Sequence, residues 1–269
     1  MKLTHQDIDP SSNLLNSKMI HKHLATDSPF ILETFSSIDS THSYLLQQAK
    51  NYAAHGLVCV AEQQTAGYGR RGTAWSSPFG LNLYCSLCWH FDRNSALLNG
   101  LSLVIGLAIQ QTLTQWGIDG VKIKWPNDIY YDGKKLAGIL INIARRPNNH
   151  CLAIISFGLN VNMSKSISAQ ISMQQIKHAP SDRNVLLAGL LNNLATILHQ
   201  FSQQGLAVFL PQWQRVDFLC GKKIRLTIKE KTLLGFVLGI DQQGNLLLDT
   251  EGKTMTMTNN SDIHIEKIF

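Results

Sequence analysis

Four apolar runs follow one another between residues 121 and 160, at 121–125, 128–132, 136–144 and 151–160, separated only by short turn-like stretches. Strands that succeed each other without intervening helices indicate a mixed or antiparallel sheet, with helices packed on one side of it, an α+β layout. Further strands are expected at 31–35, 57–63 and 81–90, and helices at 40–53, 95–116, 183–204 and 206–216. The helix at 95–116 sets Leu98, Leu101, Ile105, Ile109, Leu113 and Trp116 on one stripe, as a helix lying on a sheet requires. A short helix is expected near Leu14, Leu15, Met19, Ile20 and Leu24.

After Asp217 only strands are expected. Ile224, Leu226 and Ile228 alternate with Lys223, Arg225 and Thr227, and the turn sequences Asp241-Gln242-Gln243-Gly244-Asn245 and Glu251-Gly252-Lys253 punctuate the rest. Such a pattern reads as a meander or small all-β barrel. The expected organisation is an N-terminal extension at 1–30, a main domain at 31–217 and a barrel at 218–269.

Of the 269 residues, 44% are hydrophobic and 16% charged, enough apolar material for a sizeable core, which sets aside wholesale disorder. The longest apolar run, Leu103 to Ile109, falls far short of the ~20 residues of a membrane span, so no membrane helix is expected. The polar N-terminus, with Lys2, His5, Asp7 and Asp9, does not resemble a secretory signal, and a cytoplasmic protein is the default expectation. A formal charge of +6 favours anionic partners: nucleic acid, acidic proteins or phosphorylated small molecules.

The five cysteines include one Cys-x-x-Cys, Cys85 and Cys88, in a segment that reads as a strand. Residues three apart on a strand face opposite ways, so this pair is expected to be structural, not redox-active or metal-binding. The histidines show no metal-ligand spacing; His21 and His23, the closest pair, read as solvated.

The most informative loop is Glu62-Gln63-Gln64-Thr65-Ala66-Gly67-Tyr68-Gly69-Arg70-Arg71-Gly72, directly after an apolar strand. Its glycines permit positive φ and let backbone N–H groups turn toward a ligand, while two arginines add planar cationic donors; together they suit an anion. It is neither a P-loop nor a dinucleotide fingerprint, because Gly-Lys-Ser/Thr is absent and Thr73 to Pro78 does not open a helix. Lys122-Ile123-Lys124-Trp125-Pro126-Asn127-Asp128 presents an amide and a carboxylate at a strand tip, which read either as a turn or as hard ligands for Mg²⁺. Seven residues beyond Asp128, Lys135 opens the strand Leu136-Ala137-Gly138-Ile139-Leu140, where Gly138 allows close backbone approach. Asp39-Ser40-Thr41-His42 supplies a helix cap or paired hydroxyls for a polar ligand, and Ser156-Phe157-Gly158-Leu159-Asn160-Val161-Asn162 is a buried strand ending in amides.

In this order, Asp-Ser-Thr, Glu-x-Gln-x-x-Gly-x-Gly-Arg-Arg-Gly, Lys-Trp-Pro-Asn-Asp, Lys-Leu-Ala-Gly-Ile-Leu and Gly-Leu-Asn-Val-Asn resemble the biotin protein ligases, from about Leu14 to the C-terminus. The resemblance implies a class II synthetase-like catalytic domain closed by a small barrel. It implies ATP-dependent activation of biotin to biotinyl-5′-AMP, with Mg²⁺, and transfer to a carrier lysine such as that of the biotin carboxyl carrier protein of acetyl-CoA carboxylase. By the same resemblance Ser40, Thr41, His42 and Gln64 would meet the ureido ring, and the backbone of Gly67, Tyr68, Gly69 and Arg70 would cover biotin and the adenylate. Trp75, Gly138 and Leu140 would line the pocket. Arg70, Arg71, Lys124 and Lys135 would face ATP, Asn127 the metal and Asn160 the nucleotide end. Arg70, Lys135 and Asp128 would be the catalytic set, Asp128 positioning or deprotonating the incoming lysine.

Three positions depart from the family pattern: Tyr68 stands where arginine is usual, His42 where asparagine follows Ser-Thr, and Ser156 where glycine is common. The stretch from Ser164 to Pro180 also lacks the tryptophan that covers adenine in some relatives. Some relatives carry an N-terminal helix-turn-helix domain and repress biotin synthesis; with about a dozen residues before Leu14, a ligase without DNA binding or repressor activity is expected. The competing readings are a ligase for lipoate or another short acid, a basic nucleic-acid-binding protein, and a catalytically dead biotin sensor. The scattered basic residues, without interleaved surface aromatics, weaken the nucleic-acid reading. An exposed sheet edge leaves a homodimer open.

Overall fold

The computed structural model describes residues 14–51, 54–92, 98–147, 150–165, 169–228, 231–258 and 263–269. The main sheet contains β1 (Ile31–Phe35), β2 (Leu57–Ala61), β3 (Leu83–Phe91), β4 (Lys122–Lys124), β5 (Asp128–Tyr131), β6 (Lys134–Arg145) and β7 (Cys151–Leu159), in the order β1-β2-β3-β7-β6-β5-β4. β1 and β2 run parallel and are linked through helix α2 (Thr41–Lys50); all other neighbours are antiparallel. The sheet is mixed, and the closely spaced runs between 121 and 160 form its successive hairpins.

Helices cover both faces of this sheet, not one as expected. Val58 and Val60 on β2, Cys85 and Leu87 on β3, and Ile155 and Phe157 on β7 join the larger core, together with α3 (Leu101–Gln115) and α5 (Arg183–Gln204). Their neighbours Cys59, Cys88, Leu152 and Ile154 point the other way and pack on Leu45 and Ala49 of α2. The central strands are apolar on both sides, and leaving either face wet would forfeit roughly 25 cal/mol for each Å² of apolar surface. Cys85 and Cys88 fall on opposite faces, as the strand period requires; Cys59, Cys151 and both of these are buried, whereas Cys220 is exposed.

α3 begins at Leu101, later than the expected 95; residues 93–97 lie outside the described residues, and Leu98 to Gly100 precede the helix. Gly100 has φ 81°, and a Cβ there would sit 2.5 Å from Leu206 Cδ2, so this position makes the turn into the helix. α5 lies against α3, and Leu103, Val104, Leu107 and Ala108 are buried in addition to the expected stripe. α5 itself is long and apolar enough to cross a membrane by length and composition, a test that a buried core helix also passes. Its leucines are core residues, and it opens with fully buried Arg183, whose Nη1 donates to Glu62 Oε2 (2.7 Å) and to the Asn82 carbonyl (3.1 Å). Glu62 also accepts from the Leu15 N–H, tying the segment before α1 (Ser17–His21) into the core.

Beyond α4 (Met173–Lys177) and α6 (Leu210–Val216) come β8 (Lys223–Ile228), β9 (Lys231–Ile240), β10 (Leu246–Thr250), β11 (Lys253–Met257) and β12 (Ile263–Ile268). They form an antiparallel sheet in the order β11-β10-β9-β8-β12, the small all-β unit anticipated from the alternation. Buried Trp125 donates its indole N–H to the Gly244 carbonyl at 3.0 Å, so the Lys-Trp-Pro-Asn-Asp segment also anchors this unit; the Trp125–Pro126 peptide is cis.

Candidate active site

The strand register explains where a site can form. Gly138 lies opposite Gly158 and Asp128 opposite Gly138, while Leu140 lies opposite Ser156 and Ser156 opposite Ser86. These rows are on the α2 face, beyond the N-terminus of that helix. With two glycines side by side the sheet surface is bare, and the Trp75 indole lies on it: a Cβ on Gly158 would be 2.5 Å from Nε1 and Cε2, and one on Gly138 would be 3.1 Å from Cζ3. Lys135 Nζ sits 5.3 Å from the Trp75 ring centre and 2.7 Å from Asp128 Oδ1.

The result is a cleft of about 390 Å³, a size suited to a small-molecule ligand. Of the residues singled out from the sequence, it brings together Ser40, Thr41, His42, Gln64, Tyr68, Gly69, Arg70, Arg71, Trp75, Lys124, Asn127, Asp128, Lys135, Gly138 and Leu140. Two expected residues do not line it. Gly67 lies behind, where a Cβ would meet Gln64 Nε2 at 2.8 Å and Ser77 Oγ at 2.9 Å, and its carbonyl accepts from the Trp75 N–H. Asn160 is buried, and its side chain donates to the Ile171 carbonyl (3.1 Å), holding the segment that carries Gln170 to the cleft.

One end of the cleft is polar and uncharged. Ser40 caps α2 by accepting from the Ser43 N–H, and Gln64 Oε1 accepts from the Thr41 N–H (2.9 Å) and lies 3.1 Å from the Thr41 hydroxyl oxygen, which is also 2.8 Å from Ser86 Oγ, while Gln64 Nε2 donates to Ser77 Oγ. The other end is cationic: among the described residues, Arg70, Arg71, Lys124 and Lys135 face one carboxylate, Asp128. Burial lowers the Lys124 pKa, with Asp128 opposing and Lys135 reinforcing the shift; burial and then Arg71 lower that of Arg70, against Asp128. Burial disfavours the charged form of both side chains, and a bound anion would offset that desolvation.

The glycine loop is held at both sides of the cleft. Gly69 N–H donates to the Thr73 carbonyl, and Arg71 (φ 58°) and Gly72 (φ 71°) make the turn. Arg70 Nη1 donates to Asn127 Oδ1 (3.2 Å), and the Arg71 guanidinium donates to the Ile263 carbonyl on β12. Ile263, His264 and Ile265 thereby reach the cleft; they were not anticipated, because an alternating strand nearly 200 residues from the loop carries no local sign of that contact. Ser86 was likewise missed, and Ser156 was singled out only as a departure from the family pattern, though buried serines inside otherwise apolar strands are a readable signal of a polar partner.

A mixed sheet carrying a cationic, glycine-lined cleft with a neutral polar end suits a small ligand that is polar at one end and anionic at the other. Residues 34–162 match the Biotin/lipoate A/B protein ligase family and residues 219–263 the Biotin protein ligase C terminal domain. The chain is 39% identical to the Bifunctional ligase/repressor BirA of Escherichia coli over 89% of this chain and 74% of that protein. It is 27% identical to the Biotin--[acetyl-CoA-carboxylase] ligase of Mycobacterium tuberculosis, over 87% of this chain and 89% of that one. The Aquifex aeolicus biotin protein ligase in complex with biotin and ATP superposes with TM-score 0.75 at 25% identity, covering 88% of this chain and 98% of that one. The chain belongs to the biotin/lipoate A/B protein ligase family, in its biotin protein ligase branch.

Proposed function

We propose that this cleft activates biotin with ATP and delivers it to a lysine of a carrier protein. The observation that carries the reading is the joining of two unlike ends in one cleft: a neutral hydrogen-bonding pocket at Thr41 and Gln64, and four cations at Arg70, Arg71, Lys124 and Lys135, with the Trp75 indole between glycines and Lys135. Biotin has the matching polarity, with a ureido ring at one end and a carboxylate at the other. The carboxylate oxygen attacks the α-phosphorus of ATP, pyrophosphate leaves, and biotinyl-5′-AMP remains. The ε-amine of the carrier lysine then attacks the acyl carbon; the amide forms, AMP leaves, and the amine gives up a proton. In the first step several negative oxygens converge, and fixed cations stabilise that arrangement without reorganising.

Lys135, held by Asp128 at 2.7 Å, is the cation we assign to the carboxylate and α-phosphate. Asp128 therefore positions Lys135, and we assign to it the further role of positioning or deprotonating the incoming amine. Mg²⁺ belongs to the same proposal: the donors at the strand tip are one amide oxygen, Asn127 Oδ1, and one carboxylate, a set that fits a metal carried mainly by phosphates and water. Such an ion would offset phosphate charge. The carrier is proposed to be the biotin carboxyl carrier protein of acetyl-CoA carboxylase, in the cytoplasm, with residues 31–217 as catalytic domain and 218–269 as the closing barrel. Absence of sequence-specific DNA binding is part of the proposal, and pairing of two chains would use the β1 edge, where Ile31 is exposed. The test is exchange of pyrophosphate into ATP. Exchange that requires biotin supports the reading; exchange with lipoate alone would select the sister activity, and no exchange with either would remove it.

A further inference from the structure

The three positions that depart from the family pattern are neighbours in space. The Tyr68 ring stands edge-on to His42 at 5.8 Å, and His42 Nδ1 is 2.6 Å from Ser156 Oγ. From there a run of hydroxyls leads through buried Ser86 to the cleft: Ser156 to Ser86 at 2.6 Å and Ser86 to Thr41 at 2.8 Å, with Thr41 against Gln64 Oε1. At the outer end His42 Nε2 is 2.9 Å from Oδ1 of exposed Asn142. Ser86, Ser156, His42 and Thr41 are all buried, so each must satisfy its hydrogen bonds within this run.

Proton bookkeeping leaves such a run only two directions, because each hydroxyl carries one hydrogen. If the neutral ring bears its proton on Nε2 and donates to Asn142, then Ser156 donates to Nδ1, Ser86 to Ser156 and Thr41 to Ser86. Thr41 Oγ then offers the cleft a lone pair, and Gln64 Oε1, bonded to the Thr41 N–H, offers another. If the proton is on Nδ1 every bond reverses, and Thr41 spends its hydrogen on Gln64 Oε1. The reversed arrangement fills Gln64 Oε1 and leaves one lone pair on Thr41 Oγ, so a group that donates two N–H bonds, one to each oxygen, is received only by the first.

We propose that Asn142, His42, Ser156 and Ser86 are positioning residues that set the hydrogen-bond polarity of Thr41, in the direction that makes the polar end of the cleft an acceptor for the two N–H groups of a cyclic urea. The inference rests on biotin being the ligand of this cleft. It assigns a role to two residues, Ser86 and Asn142, that do not touch the ligand, and it makes His42 and Ser156 a matched pair.

The experiment changes the exposed end, where folding is not at stake. At pH 8, Asn142→Asp supplies only an acceptor and preserves the direction; Asn142→Lys supplies only donors and reverses it. Nitrogen NMR of the His42 ring reads the tautomer directly. The expected result is an Nε2–H ring in wild type and Asn142→Asp, an Nδ1–H ring in Asn142→Lys, and a KM for biotin raised about tenfold in the lysine variant, the scale of one neutral hydrogen bond. KM for ATP and kcat are expected to stay within twofold. Ser86→Ala is expected to raise the biotin KM to a similar extent, with recovery in Ser86→Thr. An Nδ1–H ring in wild type, or a reversed tautomer with an unchanged biotin KM, overturns the proposal. Failure of the ligand assignment is distinguished by wild-type protein lacking biotin-dependent pyrophosphate exchange, with the tautomer measurement still readable.

Discussion

Replacing Gly158 by alanine tests the packing that shapes the cleft. A Cβ at this position would lie 2.5 Å from Trp75 Nε1 and Cε2 and 2.7 Å from Cζ2. Carbon contacts settle near 3.5–4.0 Å, so the ring must move by about 1 Å. It cannot settle deeper, because Gly138 lies beneath it, and the Trp75 backbone is fixed by its N–H bond to the Gly67 carbonyl (2.9 Å). The indole must therefore lift into the space proposed for ligand, carrying the neighbourhood of Lys135 with it. Because the clash is with a side chain and not with backbone, the stability loss should stay at the low end of overpacking, about 1 kcal/mol. Function should suffer more: displacing positioned groups by about 1 Å can cost about 100-fold in rate. Biotin titrations of pyrophosphate exchange, run beside thermal melts, should show kcat/KM for biotin reduced roughly 10- to 100-fold. The double variant with Trp75→Phe should recover part of the loss, since two residues in contact do not behave additively. A kcat/KM within twofold of wild type would refute this account of the glycine row.

The buried Arg183–Glu62 pair predicts that Arg183→Met lowers stability by about 3–5 kcal/mol, because a buried carboxylate loses its cation; a change under about 1 kcal/mol in denaturant titrations would contradict this. Lys135→Met should depress adenylate formation at least 100-fold, in line with the loss of one preorganised charge donor, while thermal stability changes little; equal loss of both would point to a structural lysine. Burial holds the His42 pKa below its ordinary value, opposed by its bond to Asn142. The unfolded chain then binds the proton more readily, so stability is full above the unfolded pKa near 6.5 and falls as pH drops through it. His42→Asn should flatten that acid-side slope in urea titrations between about pH 7.5 and 5.5, and an unchanged slope would show that His42 does not cause it. If the remaining surface charge recruits an acidic carrier, raising salt should slow transfer with little effect on adenylate formation; equal slowing of both steps would contradict recruitment.

Local pattern was enough to locate the strands and helices of the main sheet, since alternation and turn residues act over a few positions. It failed where the determinant was tertiary. Helices on both faces were not foreseen, although the all-buried Leu57–Ala61 run was the sign that two faces needed cover. The long helix at 95–116 was overextended because Gly100 turns the chain against Leu206, a contact more than 100 residues away. For the site, motif spacing pointed to the residues that converge on the cleft, but what each one touches depended on register: Gly138 faces Gly158 only because β6 and β7 pair at that offset. Trp125 and Glu62, both inside the most informative motifs, are buried and hold the fold together. A motif residue can thus be constrained by packing as well as by chemistry, and nothing in the spacing separates the two.

The proposed reaction ends in one new bond, an amide between biotin and one carrier lysine, formed at the expense of ATP. Intact-mass spectrometry of an apo biotin carboxyl carrier domain, incubated with this protein, biotin and Mg-ATP, measures that directly. The expected result is a single biotinyl addition, confined to one lysine and absent when either biotin or ATP is withheld. An unchanged carrier mass, or an addition seen only when lipoate replaces biotin, would contradict it.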